Sequence, residues 1–155
     1  MTTSKISIGV VGCGYWGPNL IRNFNSLGGC RLKTVCDLSE ARLRHMKELY
    51  PAVSATMRFE DLIEDPEIDA IVVATSVRFH FPMARQALMA GKHVFIEKPM
   101  AGSAVQCEEL NEIAGRNGLV IMIGHTFIIR HRSGRLRRSS RTAKSVIYAT
   151  SAHVG

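Results

Sequence analysis

Short apolar or β-branched runs alternate with longer, helix-patterned segments over the first 125 residues of the chain. The runs "ISIGVVG", "RLKTVC", "AIVVAT", "HVFIE" and "LVIMIG" predict strands, and "VSATM" predicts a shorter extra one. Between them, "GPNLIRNFNSL", "SEARLRHMKELY", "FPMARQALMAG" and "SAVQCEELNEIAGRNG" predict helices. In the first, Leu20, Ile21, Phe24 and Leu27 recur at helical spacing and are expected to pack on a sheet. Pro82 and Gly91 are expected to bracket the third helix. Ser103 followed by Gln106 predicts a capping box at the start of the fourth, and Gly118 its end. Strict alternation of strand and helix predicts an α/β fold, a doubly wound parallel sheet of the Rossmann type with helices on both faces. Ligands of such sheets bind beyond the carboxyl ends of the strands, at the point where strand order reverses.

Composition changes this picture little until the charge is located. An apolar fraction of 46% and a charged fraction of 21% are those of a globular domain. The net charge of +7 is confined to one segment: 13 basic and 13 acidic residues cancel up to Ile129, and the other seven basic residues follow with no acid. Cys13, Cys30, Cys36 and Cys107 show no paired spacing, so a reducing, cytoplasmic setting is expected. No apolar run is long enough to span a membrane, no leader pattern opens the chain, and His45 and His93 show no metal-ligand spacing.

The first predicted strand runs into "GCGYWG", a G-x-G-x-x-G arrangement of Gly12, Gly14 and Gly17. The first glycine permits a sharp turn, the second lets backbone amides approach a pyrophosphate, and the third lets the helix pack closely on the strand. The helix N-terminus adds unsatisfied N–H groups and a favourable dipole. A glycine-rich turn with no ligand is the plain alternative, but a patterned strand and helix flank this one. Asp37 closes the second strand 25 positions after Gly12, where an acid accepts hydrogen bonds from the adenosine ribose. Its charge would repel a 2′-phosphate, which favours NAD over NADP, although Arg42 and Arg44 would soften that repulsion. An S-adenosylmethionine site pairs a similar loop and acid, and the later motifs decide against it.

Those motifs are "AT" followed by His80, then "AGKHVFIEKP" and "GHTF". With the glycine loop and Asp37 they resemble, in order and spacing from Ile6 to about Phe127, the N-terminal half of the Gfo/Idh/MocA oxidoreductases, named for glucose–fructose oxidoreductase and inositol dehydrogenase. "GYWGPNL" and "GHTF" are most similar to the members that oxidise sugar nucleotides, the 3-dehydrogenase-like subgroup. The resemblance implies that Gly12, Gly14, Tyr15, Trp16 and Gly17 cradle the pyrophosphate and Asp37 the ribose. It implies that Thr75 and His80 line the cofactor groove. Glu97 and Lys98 would lie beside the nicotinamide, with Pro99 shaping the turn, in relatives often through a cis peptide. Lys98 is then the candidate catalytic residue, because a cation beside the reacting carbinol stabilises alkoxide character as hydride leaves. A histidine opening a helix can equally be a cap, and a Glu–Lys pair after a strand can be a solvated ion pair. His125 could approach the same site.

Family members continue into a second α+β domain that binds the sugar, carries the histidine assigned as general base and supplies the oligomer interface. Residues 1–127 are therefore read as the dinucleotide-binding domain, and 128–155 as an irregular basic tail. The tail, "IRHRSGRLRRSSRTAKSVIYATS", lacks the helix that relatives place there. In the frame that starts at each codon's third base, the residues from Ile129 onward permit "SPSVRAIKEIIENGEIGDI", close to the family pattern. A frameshift near Ile129 is the expectation, leaving a truncated chain that binds its cofactor without turnover. The alternatives are a nucleotide-binding module with a basic arm for nucleic acid, and a solvated tail without function. The arm is disfavoured because only Tyr148 could serve as a stacking platform.

Overall fold

Six strands form one parallel sheet in the order β3-β2-β1-β4-β5-β6, so the chain winds outward from β1 in one direction and then from β4 in the other. The computed structural model describes residues 5–124. In chain order its elements are β1 (Ile6–Val11), α1 (Gly17–Ser26), β2 (Cys30–Cys36), α2 (Glu40–Leu49), β3 (Ser54–Thr56), α3 (Glu60–Ile63), β4 (Ala70–Val73), α4 (Val77–Met89), β5 (His93–Glu97), α5 (Ala104–Asn117) and β6 (Ile121–Gly124). This is the doubly wound, Rossmann-type arrangement the alternation predicts. The basic tail, His125 and the expected domain boundary after residue 127 lie outside the described residues.

Both sheet faces are covered, which is why the central strands read as continuous apolar runs. Val72 of β4 joins Ile8, Val10, Ile21, Val35, Leu43 and Met46 in the core beneath α1 and α2. Its neighbours Ile71 and Val73 point the other way, into the core formed with Leu62, Leu88, Ile96 and Leu110. Successive strand residues alternate faces, so a segment buried on both sides must be apolar at every position. Near 25 cal/mol per Å² of apolar surface removed from water, each fully buried aliphatic side chain contributes roughly 2 kcal/mol.

The helices depart from expectation in places with identifiable causes. Ile21 is fully buried and Leu20 and Phe24 pack on the core, but Leu27 is 52% exposed at the end of α1. Helix α4 begins at Val77, and Pro82 lies inside it rather than at its start. Proline cannot supply the N–H that would reach back to the Arg78 carbonyl, so α4 lacks one backbone bond at its sixth residue. Helix α3, one turn long, carries too few residues for a periodic signal. Ser103 accepts from the Gln106 N–H, as the capping pattern predicts. The Gln106 side chain, however, accepts from the Gly102 N–H rather than that of Ser103. Gly118 ends α5 in the left-handed conformation at φ +64°.

Candidate functional site

The turn after β1 is held at both ends by backbone geometry. Gly12 has φ +97°, and a side chain there would start 2.5 Å from the Ala74 carbonyl oxygen. The strand-to-helix turn thus passes close against the end of β4, and only glycine fits. A side chain on Gly17 would collide with the Gly12 carbonyl, which fixes how closely α1 packs on the turn. Gly14 differs: the nearest group to its missing side chain is the Arg42 guanidinium, 3.7 Å away, so the backbone there faces open space. Trp16 stands at the start of α1 with no side-chain cap, and Pro18 follows within the first turn. The first-turn N–H groups are therefore not capped by that side chain, which suits an anion approaching along the helix axis.

Asp37 ties this turn to β2. Its carboxylate accepts from the Cys13 N–H at 2.7 Å through one oxygen and from the Ser39 N–H at 2.8 Å through the other. The Arg42 guanidinium lies 3.6 Å from the first oxygen; the Asp37 side chain is 8% exposed and that of Arg42 57%. The acid is thus a structural clasp within the loop system as well as a candidate ribose ligand. Burial, reinforced by the Asp37 charge, pushes the thiols of Cys13 and Cys36 up to about 12, which leaves both as unreactive packing groups.

A crevice of about 510 Å³ opens along the carboxyl ends of β1, β2 and β4. Gly12, Gly14, Tyr15, Trp16, Asp37 and Thr75 all line it, joined by Arg42, Leu38, Met57 and Phe79. Its volume falls in the range of cofactor sites, and it lies where the strand order reverses between β1 and β4. Tyr15 and Trp16 meet edge to face at 5.2 Å on the exposed lip. Sequence reasoning passed over Leu38, Met57 and Phe79, which are apolar side chains in turns or at helix starts with no distinguishing pattern.

The other candidates sit differently. His80 is 1% exposed and is not among the residues lining the crevice. Its Nδ1 lies 2.7 Å from the Pro99 carbonyl oxygen and its Nε2 2.9 Å from that of Thr75. It bridges the turn after β4 to the turn after β5. The Lys98–Pro99 peptide is cis. Glu97 is buried, and burial pushes its carboxyl above the ordinary value, opposed by the Lys98 N–H and the nearby His80. Lys98 is exposed at the carboxyl end of β5, one strand beyond β4 and outside the crevice lining. Among the described residues, no group of His, Cys, Asp and Glu could hold a metal ion, and no helix is long and apolar enough to cross a membrane.

Comparison with known proteins bears on this geometry. Residues 6–125 match the model of an oxidoreductase family with an NAD-binding Rossmann fold. The chain is 32% identical over 117 residues to myo-inositol 2-dehydrogenase of Thermotoga maritima, covering 76% of this chain and 35% of that protein. It is also 32% identical over 130 residues to 1-carboxy-3-chloro-3,4-dihydroxycyclohexa-1,5-diene dehydrogenase of Comamonas testosteroni, covering 84% and 33%. Among solved structures, biliverdin reductase from Synechocystis with biliverdin and NADP+ superposes with a TM-score of 0.74 at 30% identity, covering 78% of this chain and 38% of that one. GenD2 of gentamicin A biosynthesis, in complex with NAD, gives 0.77 at 25% identity, covering 82% and 36%. The chain thus spans about a third of the length of the curated relatives it matches.

Proposed function

Since the chain belongs to the Gfo/Idh/MocA oxidoreductases through its NAD-binding Rossmann domain, we propose that the crevice holds a nicotinamide dinucleotide, NAD in preference to NADP, for hydride transfer to or from a sugar or sugar-nucleotide hydroxyl. The observation that carries this reading is the junction of the Gly12–Gly17 turn, the start of α1 and Asp37 at the strand-order reversal. Backbone amides at Gly14, Tyr15 and Trp16 would hold the pyrophosphate, and Asp37 keeps lone pairs for the ribose beyond those facing Cys13 and Ser39. Thr75, at the end of β4, would border the nicotinamide ribose. The bound nicotinamide supplies the hydride acceptor or donor.

Lys98 would act on the substrate side of the reaction. Its ammonium, brought toward the reacting carbinol, stabilises the charge that develops on oxygen. Glu97 and His80 support it from within: one bonds the Lys98 N–H, and the other holds the Pro99 carbonyl. Substrate choice and the proton acceptor are assigned to no residue of the described domain.

Isothermal titration with NADH tests the reading. Saturable one-to-one binding that Asp37→Ala weakens about tenfold or more is expected, since hydrogen bonds to a charged group are worth roughly 1.5–3 kcal/mol. Absence of saturable binding contradicts it.

A further inference from the structure

We infer that His80 is a positioning residue that works as a buried imidazolium. With a proton on each ring nitrogen it donates to the Thr75 carbonyl on one side and to the Pro99 carbonyl on the other. It thereby fixes the crevice-lining turn after β4 against the turn that contains Lys98. The consequence for binding rests on the dinucleotide reading above and goes beyond it, because that reading uses only the Pro99 contact. The partners set what the ring must supply. Both atoms facing it, 2.7 Å from Nδ1 and 2.9 Å from Nε2, are backbone carbonyl oxygens, which accept and cannot donate. A neutral imidazole has one N–H, so one of these contacts would press a bare nitrogen lone pair against a carbonyl oxygen. The ring is 1% exposed, so solvent cannot relieve that contact. The doubly protonated ring satisfies both. Thr75 lies five residues before His80 and Pro99 nineteen after it, in turns that end the neighbouring strands β4 and β5.

A buried cation needs a countercharge, and Glu97 at the end of β5 supplies it. Burial pushes the Glu97 carboxyl up, and the charge on His80 draws it back toward ionisation. Its Oε1 stands 2.9 Å from where a side chain on Gly124, its register partner on β6, would begin, so glycine there leaves room for the carboxylate. Among the described residues, the other titratable groups on the elements flanking α4 are engaged or exposed. β4 has none. At the far end of β5, Lys92 donates to the Asp65 and Ile68 carbonyls, and His93 accepts from the Val120 N–H. On α5, Glu108 is exposed, Glu109 pairs with Arg85, Glu112 pairs with Arg116, and Cys107 packs against the core. On α4 itself Arg78 lies over the exposed Phe79 ring, and Lys98 is exposed in the turn after β5.

Ring-nitrogen NMR of the 155-residue chain labelled with ¹⁵N-histidine tests the inference at about pH 7.5, where an ordinary imidazole, titrating near about 6.5, is mostly neutral. One ring should show two protonated nitrogens, each with a proton protected from exchange, and His80→Gln or His80→Phe should remove both signals. Titration with NADH reads the consequence through quenching of Trp16, the only tryptophan, which lines the crevice. His80→Phe, which fills the space without an N–H, should weaken NADH by roughly threefold or more, and His80→Gln, which keeps an amide donor, by less. Thermal melts confirm that each variant is folded. A bare, unprotonated nitrogen on the His80 ring overturns the inference, and so does an unchanged NADH affinity in folded His80→Phe. Should His80→Phe not fold, the ring spectrum of the unaltered chain decides by itself. Failure of the unaltered chain to bind NADH removes the dinucleotide reading instead, and the ring spectrum still decides the protonation.

Discussion

Asp37 shows how one side chain can serve fold and site together. Its bonds to the Cys13 and Ser39 amides close the turn after β1 onto the end of β2. Asp37→Ala should therefore cost the fold about 2–4 kcal/mol as well as cofactor affinity, because one buried and one half-buried amide lose a charged acceptor. Asp37→Asn, with one carbonyl oxygen left, should fall between; urea denaturation of both variants measures the difference. Glu97 presents the opposite case. Burial holds its carboxyl above the ordinary value of 4.5, so the folded state binds that proton more tightly than the unfolded chain does. The stability it contributes is fully present below about pH 4.5 and is lost as pH rises through the raised value. Glu97→Gln should therefore raise the melting temperature at pH 7, with the gain vanishing near pH 4; an unchanged difference across that range would refute the assignment.

At the scale of elements, the strands were largely legible because burial on both faces leaves an unbroken apolar run, as in "AIVV" and "HVFIE". The alternation of strand and helix then implied the parallel sheet. Helix starts were less legible. Pro82 reads as an opening residue, yet α4 starts five positions earlier and carries the proline in its second turn at the loss of one backbone bond. The capping sequence at Ser103 was correct as to which hydroxyl caps the helix, and Ser103→Ala should destabilise by about 1 kcal/mol, measurable as a shift in denaturation midpoint. The place of His80 depends on the Pro99 carbonyl, 19 residues away, and no local pattern carries that information. The same holds for the Asp37 clasp on Cys13: spacing implied a ribose ligand, whereas its structural bonds needed the folded chain. The glycine turn was legible because Gly12 and Gly17 stand where only a residue with no side chain fits.

Over the whole molecule, charge and pattern divide the chain. The neutral part up to Ile129 contains the matched domain, and all the excess positive charge follows it. We propose that the segment from Ile129 is translated out of frame. Sequencing the locus should reveal a second frame that continues the family pattern, and early stops in that frame would contradict the proposal. Titrating the ¹⁵N-labelled chain with NADH, and following its amide and indole resonances, will decide whether the crevice beside β1 is a dinucleotide site. Saturable shifts concentrated at Gly12, Cys13, Gly14, Trp16 and Ser39 are the predicted result. Shifts that do not saturate, or that map to the far side of the sheet, would contradict it.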